Sequence, residues 1–191
     1  MHKAFLLTAA VVFVPLSLLA QVRPGAEVYT GYSYLNANPY NSRFSLNGWD
    51  ASFTGFLTSW FGAEADFSDH YGSSPLSPRF VPRFTYLFGP HVSFRIIPRV
   101  TPFVHVLAGE TSGSAAGLPL GAPCIKGLPC PGAATITQTS FAGVVGGGLD
   151  VKLTRHISVR VIQADYLFTN FSGGHQNDTR ISAGVVFTLG R

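Results

Sequence analysis

The fold of this 191-residue chain is decided by the stretch WFGAEADFS at residues 60–68. Apolar and polar side chains alternate along it, so that Phe61 and Phe67 fall on one face of an extended strand. Glu64 and Asp66 fall on the opposite face. A helix would instead repeat its apolar residues every three or four positions. The stretch therefore predicts a β-strand with one apolar and one polar face.

The same alternation recurs along nearly the whole chain. It predicts eight strands, near residues 26–36, 46–57, 61–70, 80–94, 100–110, 138–153, 157–168 and 179–190. The composition agrees, because 21 Gly, 13 Pro and 16 Phe with only 12% charged residues are typical of an all-β protein rich in turns.

The predicted connections alternate in length. Those around residues 58–60, 96–99 and 154–156 are short, whereas those at 37–45, 71–79, 111–137 and 169–178 are longer and rich in Asn, Ser, Pro and Gly. Short periplasmic turns and long outer loops are typical of outer-membrane barrels, and closure leaves no unpaired strand edge in lipid. In the alternative fold, a soluble β-sandwich, short and long connections are not expected to alternate along the chain. The sequence therefore predicts an eight-stranded antiparallel up-and-down transmembrane β-barrel.

Residues 1–20 have the pattern of a secretory signal peptide. His2 and Lys3 give a cationic start, an apolar run follows, and Ala20 is a small residue before the predicted cut. An uncleaved anchor helix is the alternative, which Pro15 disfavours. We expect residues 21–191 to form one barrel domain in the cell outer membrane.

Aromatic residues near both ends of the predicted strands are expected to form girdles at the membrane surfaces. The predicted girdle residues are Tyr32, Tyr34, Trp49, Trp60, Phe61, Tyr86, Tyr166 and Phe168.

Six segments carry a family resemblance: VYTGYSYLN (28–36), NGWDASFTGF (47–56), WFGAEADFS (60–68), YLFGPHVSFR (86–95), TPFVHVLAG (101–109) and RVIQADYLFTNF (160–171). In these segments the chain resembles the small eight-stranded outer-membrane β-barrels, OmpA-type in architecture. All six are strand patterns, so the resemblance implies a fold and a location but no activity. It also implies two partners, which are outer-membrane lipid or lipopolysaccharide and the barrel-assembly machinery during insertion.

The polar faces of the predicted strands would meet inside such a barrel. The candidate lumen charges are Asp50, Glu64, Asp66, Arg83, Arg95, Asp150, Lys152, Arg160 and Arg180, with Glu27 and Asp165 as further acids and with the histidines His91 and His105. Because desolvated charges are costly unless paired, and because an eight-stranded barrel holds little beyond its own side chains, we expect interstrand salt bridges to plug the lumen. A narrow or gated pore and a ligand or catalytic site are the alternatives. Arg160 and Asp165 have opposite parity, so both face inward only if a bulge lies near Ile162.

The loop at residues 111–137 contains both cysteines, Cys124 and Cys130. In an exported chain these predict a disulfide, and the Pro, Gly, Leu and Lys around them offer no further metal ligands. This loop is also the candidate site for an unidentified extracellular ligand, since surface loops often carry binding functions.

Nucleic-acid binding and catalysis find no support in the sequence. The formal charge of +4 comes from scattered residues without a Lys/Arg run, so no nucleic-acid partner is expected. A lipid hydrolase of the outer leaflet needs Ser, His and an acid within hydrogen-bond reach. His156 and Ser158 share a face but lie on the short-turn side, and His91 and His105 have no Ser–acid partner by spacing. We therefore expect no enzyme, catalytic residue, metal or cofactor.

Overall fold

Eight long strands and one short hairpin make up a computed structural model that describes residues 25–37, 44–74, 77–80, 83–95, 97–117, 134–171 and 174–190. The long strands are β1 (Ala26–Ala37), β2 (Phe44–Phe56), β3 (Phe61–Tyr71), β6 (Arg83–Ser93), β7 (Val100–Gly117), β8 (Ala134–Lys152), β9 (Ile157–Phe171) and β10 (Gly174–Leu189). The hairpin pairs β4 (Ser73–Ser74) with β5 (Ser77–Phe80). Within the described residues, no helix has the length and apolar character needed to cross a membrane.

The eight long strands close into a barrel in which every strand runs antiparallel to both neighbours. The first and last strands complete the closure, in a register that pairs Ala26 with Leu189 at one end and Asn36 with Thr179 at the other. The predicted all-β, eight-stranded, up-and-down barrel is therefore confirmed.

The polar faces of the strands point into the barrel. In β3, Glu64, Asp66 and Ser68 are buried, whereas Phe67 and Tyr71 on the other face are exposed. A soluble barrel would have the opposite arrangement, with an apolar interior and a polar exterior. The outer surface of this barrel is thus suited to an apolar surrounding.

The two ends of the barrel differ. We call the end with the connections at 57–60, 94–99 and 153–156 the turn end, and the opposite end the loop end. Two of the turns are built alike: the Thr58 hydroxyl accepts the Phe61 N–H at 2.9 Å, and the Thr154 hydroxyl accepts the Ile157 N–H at 3.1 Å. These side-chain caps hold the chain in tight reversals and so fix the register of the strands that follow.

The strands extend further at the loop end than predicted. β7 runs to Gly117 and β8 begins at Ala134, so residues 111–117 and 134–137 of the expected 111–137 loop are paired strand. Only residues 172–173 separate β9 from β10, where a loop over 169–178 was predicted, and β4–β5 occupies part of the 71–79 loop. The prediction was wrong at these boundaries because the extensions consist mostly of Ser, Thr, Gly, Asn and Ala, which pair as strands without apolar alternation.

The predicted bulge in β9 is present. Leu149 of β8 pairs with Ile162, but the next residue, Asp150, pairs with Arg160. The extra residue lets Val161 and Ile162 both point outward, with exposed fractions of 53% and 47%. Arg160 and Asp165 consequently both point into the lumen, where they are buried.

Candidate functional site in the barrel lumen

A wholly buried arginine of β10, Arg180, holds carboxylates from several strands. Its Nη1 and Nη2 donate to the two oxygens of Asp66 in β3 at 2.9 and 3.0 Å. Its Nε donates to Asp165 Oδ2 in β9 at 2.8 Å, and Asp50 Oδ1 in β2 lies 3.8 Å from Nη1. In this Arg180 cluster (Arg180, Asp50, Asp66 and Asp165), Asp165 lies on the neighbouring strand β9, whereas Asp66 and Asp50 are reached across the lumen on β3 and β2, which do not pair with β10.

A second ion pair lies nearer the turn end. Arg160 donates to both carboxylate oxygens of Asp150, at 2.8 and 3.1 Å, and to the Gln163 amide oxygen at 2.7 Å. The guanidinium carbon lies 4.0 Å from the ring centroid of Phe103 and 4.3 Å from that of Tyr29. Bidentate pairing and cation–π contacts together satisfy a charge that is almost completely removed from solvent.

The third group is the Glu64–histidine cluster, formed by Glu64, His91 and His105. Glu64 Oε2 accepts from His91 Nδ1 at 2.7 Å and from His105 Nδ1 at 2.9 Å. The other ring nitrogen of His105 lies 2.8 Å from Asp165 Oδ1, which joins this cluster to the Arg180 cluster. The other ring nitrogen of His91 lies 2.9 Å from Ser93 Oγ. All three side chains of the cluster are buried.

Glycine makes room for this network. A Cβ on Gly146 would lie 2.0 Å from Asp165 Oδ1 and 2.8 Å from the Ala164 carbonyl oxygen. The GVVGGG run at 143–148 therefore lets the Asp165 carboxylate approach the strand backbone.

Two further ion pairs lie toward the ends of the lumen. Arg83, the first residue of β6, donates to Asp178 at 2.5 Å on the loop side. Arg95 donates to Glu27 at 2.9 Å on the turn side, where both side chains are partly exposed. Lys152 is half-buried at the end of β8 and has no ion pair among the described residues.

The structure thus brings the predicted lumen charges other than Lys152 together in several groups, and two features of their pairing were not predicted from the sequence. Asp178 was assigned to a loop, although it lies in β10 and pairs with Arg83. His91 and His105 lie in the lumen as predicted, but the Glu64 and Ser93 partners of His91 were missed; the register also places the two histidines directly opposite each other on β6 and β7. Cross-strand register joins residues far apart in the chain, so parity could place these side chains in the lumen but could not show which of them meet.

Ser93, His91 and Glu64 have the connectivity of a serine–histidine–acid triad. Ser93 has an exposed fraction of only 1% and is the last residue of β6, at the turn end. A triad there faces the barrel interior, at the opposite end of the barrel from the loop end.

The predicted girdle residues all point outward. Trp60 and Phe61 lie at the turn end, while the other six lie in the loop-side half of their strands: Tyr32, Tyr34, Trp49, Tyr86, Tyr166 and Phe168. Several of the tyrosine hydroxyls have polar partners on this surface: Tyr32 donates to Asn47 at 2.6 Å, and Tyr86 donates to Glu110. Ten residues of β3 separate Phe61 from Tyr71, a rise of about 25 Å for a strand tilted by about 40°. An apolar band of this height matches the outer surface of a transmembrane barrel.

Some predicted features lie outside the described residues. These are residues 1–20, Cys124, Cys130 and residues 118–133 of the long loop. The signal peptide and the disulfide stay predictions.

Comparisons with known proteins gave matches at the level of structure. No protein-family model and no curated protein sequence matches the chain. Among solved structures, Neisserial surface protein A (NspA) superimposes with a TM-score of 0.64 at 12% identity, over 85% of this chain and 96% of that one. The attachment invasion locus protein Ail of Yersinia pestis gives a TM-score of 0.57 at 12% identity, over 87% and 99%. The outer membrane protein OprG of Pseudomonas aeruginosa gives 0.52 at 7% identity, over 89% and 100%.

These similarities extend over almost the full length of each matched barrel. Because the sequence identities are low, the similarities show the fold alone. Together with the closed strand order and the apolar outer face, they establish the architecture. The chain has the fold of the small eight-stranded outer-membrane β-barrels.

Proposed function

We propose that the chain is an integral outer-membrane protein with a structural or surface-interaction role, that it is not an enzyme, and that its lumen is plugged by ion pairs. The outward apolar band, the closed strand order and the outer-membrane barrels among its structural neighbours support this location. Outer-membrane lipid or lipopolysaccharide would surround the band, and the barrel-assembly machinery would insert it. The loop at 111–137 is the proposed contact for an extracellular ligand.

The observation that carries the plug is the Arg180 cluster. Arg180, Asp50, Asp66 and Asp165 are all buried; the contacts of Arg180 with Asp50 and Asp66 span the lumen from β10 to β2 and β3, and Asp165 joins from the adjacent β9. A solute passing along the axis would have to separate these charges, each of which is desolvated and needs its partners. An eight-stranded barrel has little width left beside such side chains.

Conductance across planar lipid bilayers tests the plug. Wild-type protein should give no reproducible channel steps, and Glu64→Ala or Arg83→Ala should lower stability without creating them. Arg155→Ala, in an exposed turn, is the control for handling and insertion. Uniform steps in the wild type would establish a pore, and steps that appear only in Glu64→Ala or Arg83→Ala would establish a charged gate.

The narrow or gated pore is the second candidate, and one contact favours it. Arg180 pairs closely with Asp66 and Asp165 while Asp50 stands at 3.8 Å, so the guanidinium has an alternative partner to which it can move. A shift of the Arg180 guanidinium toward Asp50 would open a path for ions along the lumen while keeping the charge of the arginine paired.

An outer-leaflet lipid-modifying enzyme is the third candidate. The Ser93–His91–Glu64 connectivity favours it, whereas the burial of Ser93 at the turn end opposes it. A fluorophosphonate probe should leave Ser93 unlabelled in the folded barrel, and lipid A should be unchanged in mass after expression. Labelling that Ser93→Ala abolishes would overturn the non-catalytic proposal.

A further inference from the structure

The Glu64–histidine cluster has the ligand set of a metal site. Glu64, His91 and His105 converge from β3, β6 and β7, and one ligand atom of each lies within 4.8 Å of the other two. Both Nδ1 atoms contact Glu64 Oε2. We propose that these three side chains bind one Zn²⁺ ion inside the barrel. Two imidazoles and one carboxylate are a ligand set that Zn²⁺ uses when a fourth position is left for water.

Hydrogen bonding leaves part of this cluster unsatisfied. Glu64 is buried, yet its second oxygen, Oε1, has no hydrogen-bond partner among the residues that the structure describes. A buried carboxylate oxygen without a partner is costly, and a cation beside Glu64 Oε2 would compensate the whole carboxylate.

The charge balance of the lumen leaves room for further positive charge. Among the described residues that line the lumen and its rim, seven carboxylates (Glu27, Asp50, Glu64, Asp66, Asp150, Asp165 and Asp178) face five permanently charged bases (Arg83, Arg95, Arg160, Arg180 and Lys152). The carboxylates thus outnumber the permanent bases by two, and a cation bound beside Glu64 would add to the positive side of this balance.

The groups behind the ligands are arranged as a metal site requires. Once Nδ1 binds the metal, His105 Nε2–H donates to Asp165 Oδ1 at 2.8 Å, and His91 Nε2–H donates to Ser93 Oγ at 2.9 Å. A carboxylate or hydroxyl behind each ligating imidazole fixes its tautomer and orientation. The Phe103 ring stacks on His91 at a centroid distance of 5.1 Å and holds the imidazole plane.

The donor atoms select among metals. Mg²⁺ and Ca²⁺ prefer oxygen-only sites, whereas imidazole nitrogen favours Zn²⁺ and its neighbours in the first transition row. Tetrahedral bonds of about 2.0–2.1 Å place ligand atoms about 3.3 Å apart. The two Nδ1 atoms now lie 2.7 and 2.9 Å from Glu64 Oε2, so each of these two contacts would lengthen by about half an ångström to admit the ion. This proposal requires only the barrel fold and holds whether or not the lumen conducts.

Metal content tests the site directly. The chain without an affinity tag is refolded in detergent micelles in the presence of Zn²⁺, free metal is removed, and Zn²⁺ is measured by elemental analysis. We expect about one Zn²⁺ per folded chain. Less than a tenth of an equivalent in folded wild-type protein would overturn the proposal.

Matched variants assign the ligands. His91→Gln and His105→Gln should each lose the bound Zn²⁺, while Ser93→Ala should keep it with about tenfold weaker affinity, because Ser93 only positions His91. His70→Gln removes a buried lumen histidine outside the cluster, and Cys124→Ser/Cys130→Ser removes the thiols; both should bind normally. Full binding in a His91→Gln/His105→Gln double variant would contradict the assignment.

X-ray absorption on Zn²⁺-loaded wild-type protein keeps the test decisive if the ligand variants fail to fold. Nitrogen and oxygen ligands at about 2.0–2.1 Å with imidazole scattering are expected. A sulfur shell at about 2.3 Å would place the ion on the cysteines instead and refute the proposed site.

Discussion

Asp66 is the carboxylate that Arg180 binds through both of its oxygens. Replacing Asp66 by asparagine removes this negative charge while keeping the shape of the side chain. In the wild type both Asp66 oxygens accept hydrogen bonds from Arg180, at 2.9 and 3.0 Å. In Asp66→Asn, one of these contacts becomes an amide N–H facing a guanidinium N–H, and an opposite charge is lost. Breaking a buried ion pair from one side destabilises by about 3–5 kcal/mol. Asp165 and Asp50 remain near Arg180, so we expect a loss of about 3 kcal/mol in the free energy of unfolding.

Urea titration in detergent micelles, followed by the gel mobility of the folded form, measures this loss. The midpoint should fall while the slope of free energy against urea stays constant, because the surface exposed on unfolding is unchanged. Asp69→Asn is the matched control on the same strand: Asp69 lies on the outward face, bonded to Tyr71, and should lose about 1 kcal/mol or less. Equal effects of the two substitutions would refute the view that Arg180 and Asp66 form a desolvated pair across the lumen.

Three further predictions concern glycine, cysteine and tryptophan. Gly146→Ala should destabilise the barrel by about 1–3 kcal/mol, because the new Cβ would meet Asp165 and a carbonyl oxygen. The control Gly113→Ala has open space around the new Cβ and should be neutral. Equal urea midpoints for the two variants would contradict this prediction. Cys124 and Cys130 should resist alkylation until a reductant is added, and immediate alkylation of both thiols would disprove the disulfide. Trp49 and Trp60, the only tryptophans, have exposed fractions of 42% and 55% on the outer face. Brominated lipids should therefore quench their fluorescence. Quenching by aqueous iodide instead would place the two side chains in water.

The fold can be predicted from local sequence pattern because apolar and polar residues alternate with a period of two along each long strand. In β3 the alternation alone tells which residues face inward, and the buried side chains match it. Even the bulge in β9 could be predicted, since Arg160 and Asp165 have opposite parity and both need partners away from lipid. Strand ends at the loop end were harder to place, because segments such as residues 111–117 pair without an apolar face.

The candidate site depends on information that no single segment contains. Glu64, His91 and His105 meet because β3, β6 and β7 are neighbours in one register, which sets His91 opposite His105 and Gly62 opposite His91. Arg180 reaches Asp66 across the lumen, a contact between strands that share no ladder. The alternation of inward and outward positions along each strand identifies these residues as inward-facing. Which of them are in contact depends on the register and closure of the whole barrel.

The closed barrel with an apolar exterior is the central claim, and its gel mobility with and without boiling tests it most directly. The chain from residue 21 onward is refolded into detergent micelles, and unboiled and boiled samples are run side by side. A closed, detergent-resistant barrel predicts faster migration of the unboiled sample, with a β-type circular dichroism spectrum that boiling abolishes. Identical migration of the two samples, with folding in plain buffer without detergent, would contradict the account.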